Sequence, residues 1–395
     1  MALTPDVLVL GAGMVGASIA HGLTVQGARV VLVERDHPDL HAGTWSAAGQ
    51  VHVHDSDPAR ARLAALAFDT FAHWSDAVGG DCGFRRTGHA FLAGAEQAGR
   101  LADEVRSSAE LGADVTEMAP HEFADMHPCL DLTGVAAVAH EPHGGYADPV
   151  RATLALRAAA RAGGALILSG PSGGRLRRSG DRVTGVDLGE LAFEAGQVVL
   201  AAGGWSTALL GTARLPLRAG RTGLAVADDP GVRARCPLPA VTDRVSGARF
   251  RPDGRDRILF EVPLEYEGGP QKVLDGRTEP DPERTALAQN LVGTRLRGLA
   301  GARRITTGSA VDGYTPDGRA LIGPVDGSPG LYLATGFNGD GFRTAPAVGR
   351  SVAAELTDGG SRPELEPFRP GRFQGRAEGG MPGGEAGAAR PELVA

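Results

Sequence analysis

Short apolar runs that alternate with helical stretches predict an α/β protein. Asp6–Leu10 is an apolar run that ends at a glycine, which is typical of a buried parallel strand. Met14–Gln26 is predicted to be a helix, and Arg29–Glu34 is predicted to be a second strand. Together these three segments form a β-α-β unit at the start of the chain.

The same alternation continues to about residue 356. The predicted helices are Pro58–Val78, Glu96–Leu111, Pro149–Ala162, Pro282–Leu296 and Ala347–Leu356. The predicted strands include Phe84–Leu92, Leu166–Leu168, Gln197–Ala201, Arg257–Val262 and Leu331–Ala334. Residues 371–395 contain few large apolar side chains and cannot offset their ordering entropy by burial, so we expect a disordered tail there.

Composition narrows the class of protein. The chain has 395 residues, 42% of them hydrophobic, and a formal net charge of -7, which argues against a nucleic-acid-binding protein. No apolar run approaches the roughly 20 residues of a membrane helix, and the start shows no secretion signal. Cys82, Cys129 and Cys236 are far apart and include no C-x-x-C pair. We therefore expect no disulfide scaffold, no metal site and a cytoplasmic location.

The strongest motif is a glycine-rich turn between the first strand and the first helix, with the sequence Gly11-Ala12-Gly13-Met14-Val15-Gly16. Gly11 allows the tight turn, Gly13 lets the backbone approach a pyrophosphate, and Gly16 lets helix and strand pack closely. The N-terminus of the helix then presents free N–H groups to the phosphates. The motif predicts a dinucleotide site.

Three separate segments contribute to this predicted site. Glu34 ends the second strand 18 residues after Gly16, where its carboxylate can accept both ribose hydroxyls, and Arg35 follows it. The middle strand Gln197–Ala201 leads into a glycine turn that contains the predicted contacts Gly203 and Trp205. A late strand enters a glycine-rich loop whose predicted cofactor contacts are Gly336, Asn338, Gly339, Gly341, Phe342 and Arg343. An interrupted sheet suits a long cofactor that reaches a second domain, so we expect FAD rather than NAD.

These segments resemble the D-amino-acid oxidase superfamily of flavoproteins, which includes glycine oxidase, sarcosine oxidase and dimethylglycine dehydrogenase. The resemblance covers about residues 5–368 and extends to Gly43–Gly49, Gly144–Pro149 and Tyr314–Gly318. In this family the segment that matches Gly43–Gly49 continues beneath the isoalloxazine ring. The resemblance therefore implies that Thr44, Ala48, Gly49 and Gln50 also contact FAD.

The resemblance implies an α/β fold class with two domains. A discontinuous Rossmann-like FAD-binding domain would take about residues 1–50, 145–215 and 305–370. An α+β substrate domain with an antiparallel sheet would take about residues 51–144 and 216–304.

Two basic residues are candidates for catalysis. Sarcosine-oxidase-like members hold the substrate carboxylate with a lysine at the position that matches Arg343, and an arginine could do this with two parallel hydrogen bonds. The alternative is that Arg343 binds a cofactor phosphate or a surface acid. Lys272 is the one lysine in the sequence and resembles the family's lysine for oxygen activation. The alternative for Lys272 is an exposed loop position.

Four further residues are candidates for contact with the substrate. Asp312 replaces a carboxylate-binding arginine of glycine oxidase, so it could hold a second amine or simply cap a turn. His52 could face the substrate or be structural, and Tyr266 and Tyr314 could line the substrate pocket or pack in the core. Ser46 and Ala310 replace the residues that tether flavin in related enzymes, so we expect non-covalent FAD.

The prediction is a non-covalent FAD oxidase that acts on the C–N bond of a small amine or amino acid and reduces O2 to hydrogen peroxide. Sarcosine, another N-methyl amino acid and glycine fit this substrate class. Two alternatives remain open. The protein could be a dehydrogenase that passes electrons to a quinone or carrier, or a flavin subunit of a heteromeric oxidase.

Overall fold

The opening β-α-β unit lies at the centre of a sheet in the computed structural model, which describes residues 4–35, 43–169, 174–189, 191–210, 216–231, 236–265 and 279–373. Strand β1 spans Val7–Leu10, helix α1 spans Met14–Val25 and strand β2 spans Val30–Glu34. β1 and β2 pair in parallel, and both are buried. Their continuous valine and leucine runs suit a parallel sheet that is covered on both faces.

Six strands from distant parts of the described chain form this sheet, in the order β18-β19-β12-β1-β2-β8. The further strands are β8 Leu166–Ser169, β12 Gln197–Leu200, β18 Leu321–Pro324 and β19 Leu331–Thr335. All neighbours are parallel except β18 and β19. The predicted discontinuous Rossmann-like sheet is confirmed.

A second large sheet of the described residues has eight strands, in the order β17-β13-β16-β15-β14-β4-β6-β5. These are β4 His89–Ala93, β5 Thr116–Met118, β6 Ala137–Glu141, β13 Arg218–Asp228, β14 Ala240–Asp243, β15 Arg249–Asp253, β16 Arg257–Glu265 and β17 Arg304–Tyr314. Its neighbours are antiparallel except for β14 with β4, which confirms the expected antiparallel sheet. The residue boundaries of the two domains stay a prediction.

Two smaller sheets complete the described strands. β3 Gln50–Val51 pairs with β7 Gly145–Tyr146, and β9 Arg175–Ser179, β10 Arg182–Leu188 and β11 Leu191–Glu194 form a three-stranded sheet. Apolar clusters cover both faces of the six-stranded sheet, and a third cluster fills one face of the eight-stranded sheet.

The remaining described helices are α2 Pro58–Ala72, α3 Trp74–Ala77, α4 Ala95–Glu110, α5 Pro120–Met126, α6 Pro149–Ala162, α7 Ser206–Leu209, α8 Pro282–Arg295 and α9 Gly341–Asp358. Short 3-10 helices occur at Gly43–Ser46, Gly203–Trp205, Leu299–Gly301, Pro363–Phe368 and Pro370–Phe373.

Two predicted helices have different bounds. The helix predicted over residues 58–78 ends at Ala72, because His73 leaves helical backbone angles, and a separate turn follows. The last predicted helix begins six residues earlier, at Gly341, and includes Pro346. Close packing against α1 supports this helix: a Cβ atom on Gly22 would lie 2.7 Å from the Gly349 carbonyl oxygen.

Two further expectations are corrected. The strand predicted over residues 84–92 begins at His89, and Arg85 forms only an isolated bridge with Tyr146. The predicted tail starts too early, because Pro370–Phe373 form a 3-10 turn and Arg372 Nε donates to Asp317 at 2.7 Å. Residues 374–395 lie outside the described residues.

The cysteine interpretation is also wrong for one pair. Cys129 and Cys236 form a disulfide across 107 residues, and Cys82 is buried and free. Because disulfides persist mainly in oxidising compartments, the cysteines no longer support a cytoplasmic location.

Within the described ranges, no helix combines the length and apolar character needed to cross a membrane.

Candidate active site

Two of the three glycines in the glycine-rich turn occupy positions that only glycine fits. Gly11 has φ of 100°, and a Cβ atom there would lie 2.5 Å from the Ala201 carbonyl oxygen. A Cβ atom on Gly16 would collide with the Gly11 carbonyl oxygen. At Gly13 a Cβ atom would meet only Thr44 Oγ1, at 3.1 Å. The turn is therefore closed on the sheet side and open above Gly13.

Helix α1 begins directly at this turn. It has no acidic residue in its first turn and no side-chain cap. The Met14 N–H donates to Thr44 Oγ1 at 3.0 Å. The helix N-terminus thus has the polarity that an anion requires.

Glu34 is tied to the glycine-rich turn. Its Oε2 accepts a hydrogen bond from the Ala12 N–H at 2.8 Å, and its Oε1 accepts one from the Arg35 N–H at 3.0 Å. Each carboxylate oxygen keeps a further lone pair for another donor.

A cavity of about 350 Å³ lies along this turn and the ends of the central strands. Residues from the start, middle and end of the chain line this cavity, as predicted. The Cζ atom of Arg35 lies 3.7 Å from the centroid of the Trp205 ring. The predicted cofactor residues in this wall are Gly11, Gly13, Met14, Val15, Glu34, Arg35, Thr44, Gly203, Trp205, Gly339, Gly341 and Phe342. We call this cavity the cofactor cleft.

The other predicted cofactor residues do not line the cleft. Ala12 and Gly16 are buried behind its wall. Asn338 has φ of 56°, and its side chain donates to the Gly336 carbonyl oxygen at 2.6 Å and accepts from the Thr315 N–H at 2.9 Å. Gly336 and Asn338 therefore shape the loop that carries Gly339 and Gly341.

Ala48, Gly49 and Gln50 connect the cleft to the eight-stranded sheet. Gly49 has φ of 68°, and a Cβ atom there would collide with the Ala147 carbonyl oxygen. From β15, the buried Arg251 Nε donates to the Ala48 carbonyl oxygen at 2.5 Å. Gln50 Oε1 lies 3.3 Å from His89 Nε2 on β4.

Asp312 lies in the wall of the cofactor cleft. Its carboxylate accepts the Gly313 N–H at 2.7 Å and the Gly339 N–H at 2.9 Å. These bonds favour the alternative that Asp312 caps a turn, here one that joins β17 to the glycine loop.

The surroundings of Arg343 favour the alternative that it pairs with an acid, here one buried and one half-buried carboxylate of the protein. The side chain of Arg343 is only 4% exposed, and its Nη2 contacts both Asp55 and Asp340. Its Nη1 lies 3.4 Å from His52 Nδ1. Two protein carboxylates therefore occupy the Nη2 and Nε groups of Arg343, and a contact with substrate stays a prediction.

Three buried histidines surround Phe91 on the neighbouring sheet. The rings of His52 and His89 lie 4.2 Å apart, and His54 lies 4.5 Å from the Phe91 ring. Burial, followed by the positive charge of Arg343, lowers the pKa of His52 and His89 well below the usual range. Burial also lowers the pKa of His54, to about 3. All three imidazoles are uncharged at neutral pH.

The remaining three candidates are Tyr314, Lys272 and Tyr266. Tyr314 is buried at the end of β17 and is not part of the cleft wall. Lys272 and Tyr266 lie outside the described residues, so their roles stay predictions.

Comparison with known proteins identifies the family to which this chain belongs. The family model of DAO, described as "FAD dependent oxidoreductase", matches residues 6–355. The chain belongs to this family. Its cofactor is FAD.

Individual relatives agree with this membership. Over 374 residues the chain is 28% identical to 4-methylaminobutanoate oxidase (formaldehyde-forming) of Paenarthrobacter nicotinovorans, a match that covers 89% of this chain and 43% of that protein. It is 26% identical to human mitochondrial sarcosine dehydrogenase, over 92% of this chain and 40% of that enzyme. The chain thus spans less than half the length of either relative.

A solved structure shows the same fold. The L-proline dehydrogenase from P. horikoshii superimposes with a TM-score of 0.83 at 24% identity, and the match covers 94% of this chain and 98% of that chain.

The cofactor cleft of this DAO-family chain fits FAD. Side chains at Gly11 or Gly16 would fill the turn, Gly13 leaves room for a pyrophosphate, and Glu34 keeps acceptors for ribose hydroxyls. The cleft volume also falls within the range of ordinary ligand sites.

The sequence reasoning missed three buried charged residues beside the site: Arg157, Arg251 and Asp55. Each contacts residues distant in sequence, and Lys and Arg together number 40. No local pattern distinguishes Arg157 or Arg251 from the other arginines, and Asp55 lies two residues before Asp57, the N-cap residue of α2.

Proposed function

We propose that this protein uses FAD to oxidise the C–N bond of a small amine or amino acid, with an N-methyl amino acid as the preferred class. The observation that carries the proposal is the connection between the cofactor cleft and the buried histidines through Ala48–Gln50. Similarity to enzymes named for 4-methylaminobutanoate and sarcosine, both N-methyl amino acids, supports this class.

Amine oxidation by a flavin requires an uncharged amine. FAD, when bound, accepts the hydride from the carbon next to nitrogen. Burial and the positive charge of Arg343 lower the pKa of His52 and His89, and they would lower the pKa of an amine bound beside these rings in the same way. The protein's part is then to hold the amine, exclude water and favour its neutral form.

Anaerobic flavin bleaching tests the reaction directly. The purified yellow protein is mixed with sarcosine, dimethylglycine, 4-methylaminobutanoate, proline, glycine and D-alanine, and absorbance near 450 nm is followed. Glycine and 4-aminobutanoate are matched controls that lack the N-methyl group. Loss of the absorbance with an N-methyl substrate is expected. If dithionite bleaches the flavin and no amine does, the proposal is wrong.

We further propose that the flavin is not covalently bound and that O2 is the electron acceptor. Ser46 and Ala310 occupy the positions of the family's tethers, so acid precipitation should leave the yellow chromophore in the supernatant. Admission of air after bleaching should give one peroxide per reduced flavin. Lys272→Met should slow this reoxidation at least tenfold, and Lys272→Arg serves as the charge-matched control.

A dehydrogenase is the second candidate, and similarity to sarcosine dehydrogenase favours it. It predicts rapid bleaching by the amine, slow reoxidation in air and fast reoxidation by an artificial quinone. The same stopped-flow measurement therefore separates the two candidates.

A further inference from the structure

Arg157 is a buried arginine on α6 that reaches the glycine-rich turn. Its side chain is 7% exposed, and its Nε donates to the Ala12 carbonyl oxygen at 2.6 Å. Its Nη2 lies 3.9 Å from Glu34 Oε2, and its guanidinium lies 5.4 Å from the centroid of Trp45. Arg157 thus lies against the glycine-rich turn, Glu34 and the ring of Trp45.

We propose that Arg157 is a positioning residue that orients the Ala12–Gly13 peptide for the FAD pyrophosphate. A trans peptide is planar, so its C=O and N–H groups point in opposite directions. Arg157 holds the Ala12 oxygen toward α6. The Gly13 N–H is therefore turned to the opposite side, and Gly13 belongs to the cleft wall.

Glu34 holds the other end of Ala12. Its Oε2 accepts the Ala12 N–H at 2.8 Å, so both backbone polar groups of Ala12 are fixed by side chains of opposite charge. The guanidinium and the carboxylate also lie within 4 Å of each other. Hydrogen bonds to ionised groups are about twice as strong as neutral ones, which suits a role in fixing this peptide.

Loss of Arg157 would free the peptide to rotate. A carbonyl oxygen that turned into the cleft would face the negative pyrophosphate, where the N–H group had been a donor. Binding of FAD should weaken for this reason even in a correctly folded chain.

The test compares release of FAD with unfolding of the protein. Arg157→Met, Arg157→Lys and Arg151→Met are purified as holoproteins. Arg151 lies on the same helix with a side chain that is 53% exposed, so it is the matched control. FAD release is followed by flavin fluorescence and backbone unfolding by circular dichroism during heating, and the dissociation constant of FAD is measured by dilution.

In Arg157→Met, FAD should leave several degrees below the unfolding temperature, and its dissociation constant should rise at least tenfold. Arg157→Lys keeps the charge but lacks the planar fork, so it should recover part of the affinity. Arg151→Met should match the wild type. An unchanged dissociation constant, or release that coincides with unfolding in both Arg157 variants, refutes the proposal.

If Arg157→Met does not fold, Arg157→Lys decides alone by the same two measurements. No substrate is present, so the outcome is independent of the amine reaction.

Discussion

Asp55→Asn is expected to destabilise the protein markedly, because Asp55 is a buried carboxylate between two buried guanidinium groups. Its Oδ1 accepts from Arg60 Nη2 at 2.7 Å, and its Oδ2 pairs with Arg343. The side chains of Asp55, Arg60 and Arg343 are 7%, 11% and 4% exposed. Asparagine preserves the shape of the side chain and removes its charge.

The magnitude follows from the charges that remain. Breaking a buried ion pair by removal of one partner costs about 3–5 kcal/mol. Asp340 still lies 3.1 Å from Arg343 and 3.5 Å from Arg60, so we expect the lower end, about 3 kcal/mol. At about 2.1 cal/mol/K per residue, a chain of 395 residues has an unfolding entropy near 0.8 kcal/mol/K. The expected fall in Tm is therefore about 4 °C.

Thermal unfolding at pH 7 with a fixed excess of FAD checks this value, because bound FAD adds its own stabilisation. Asp103→Asn is the control: its carboxylate is 72% exposed and pairs with Arg106 at 2.9 Å, so the shift should stay below about 1 °C. A Tm for Asp55→Asn within 1 °C of the wild type would refute the reasoning.

The pH dependence gives a second check on Asp55. Burial raises the pKa of its carboxyl, but Arg60 and Arg343 outweigh burial, so the pKa is lowered in the folded state. A lowered folded pKa gives stability that is present above the unfolded pKa of about 3.9 and is lost as the pH falls. The difference between wild type and Asp55→Asn should accordingly shrink below about pH 4.

Three other predictions concern a carboxyl group, a glycine and a disulfide. Burial raises the pKa of Glu141 to about 7, so the folded carboxyl holds its proton above the unfolded pKa of about 4.3 and stability falls as the pH rises between these values. Thermal unfolding should therefore show that the free energy of unfolding of Glu141→Gln, relative to the wild type, rises from pH 5 to 8 by up to about 3 kcal/mol. A difference in stability that stays constant over this pH range would contradict the prediction. Gly16→Ala should purify with little FAD, because its Cβ would collide with the Gly11 carbonyl oxygen, and full 450 nm absorbance would disprove the clash. Mass spectrometry should find Cys129 and Cys236 alkylated only after reduction of the unfolded chain; labelling without reductant would exclude the disulfide.

The sequence alone was sufficient to predict the geometry of the glycine-rich turn, for a local physical reason. The glycine turn, the helix after it and Glu34 all belong to one β-α-β unit of fewer than 30 residues, so their spacing fixes their geometry. Gly203 and Gly339 could be added because each follows a strand of the same sheet, and parallel strands bring their carboxyl ends to one edge.

Partners of buried charges could not be predicted in this way. Arg343 was expected to bind a ligand, but it pairs with Asp55, which is 288 residues away in the sequence. Arg157 reaches Ala12 across 145 residues, and Cys129 meets Cys236 across 107 residues.

The glycine-rich turn and the buried charge pairs differ in the sequence separation of the residues that specify them. Turn geometry and helix capping depend on residues within a few positions, so the sequence of this protein determined its cofactor turn by itself. Whether an arginine meets a ligand, a carbonyl oxygen or a carboxylate depends on which distant elements pack beside it. Only the tertiary structure decided this, because burial selects a partner for each charge after the sheets and helices have come together.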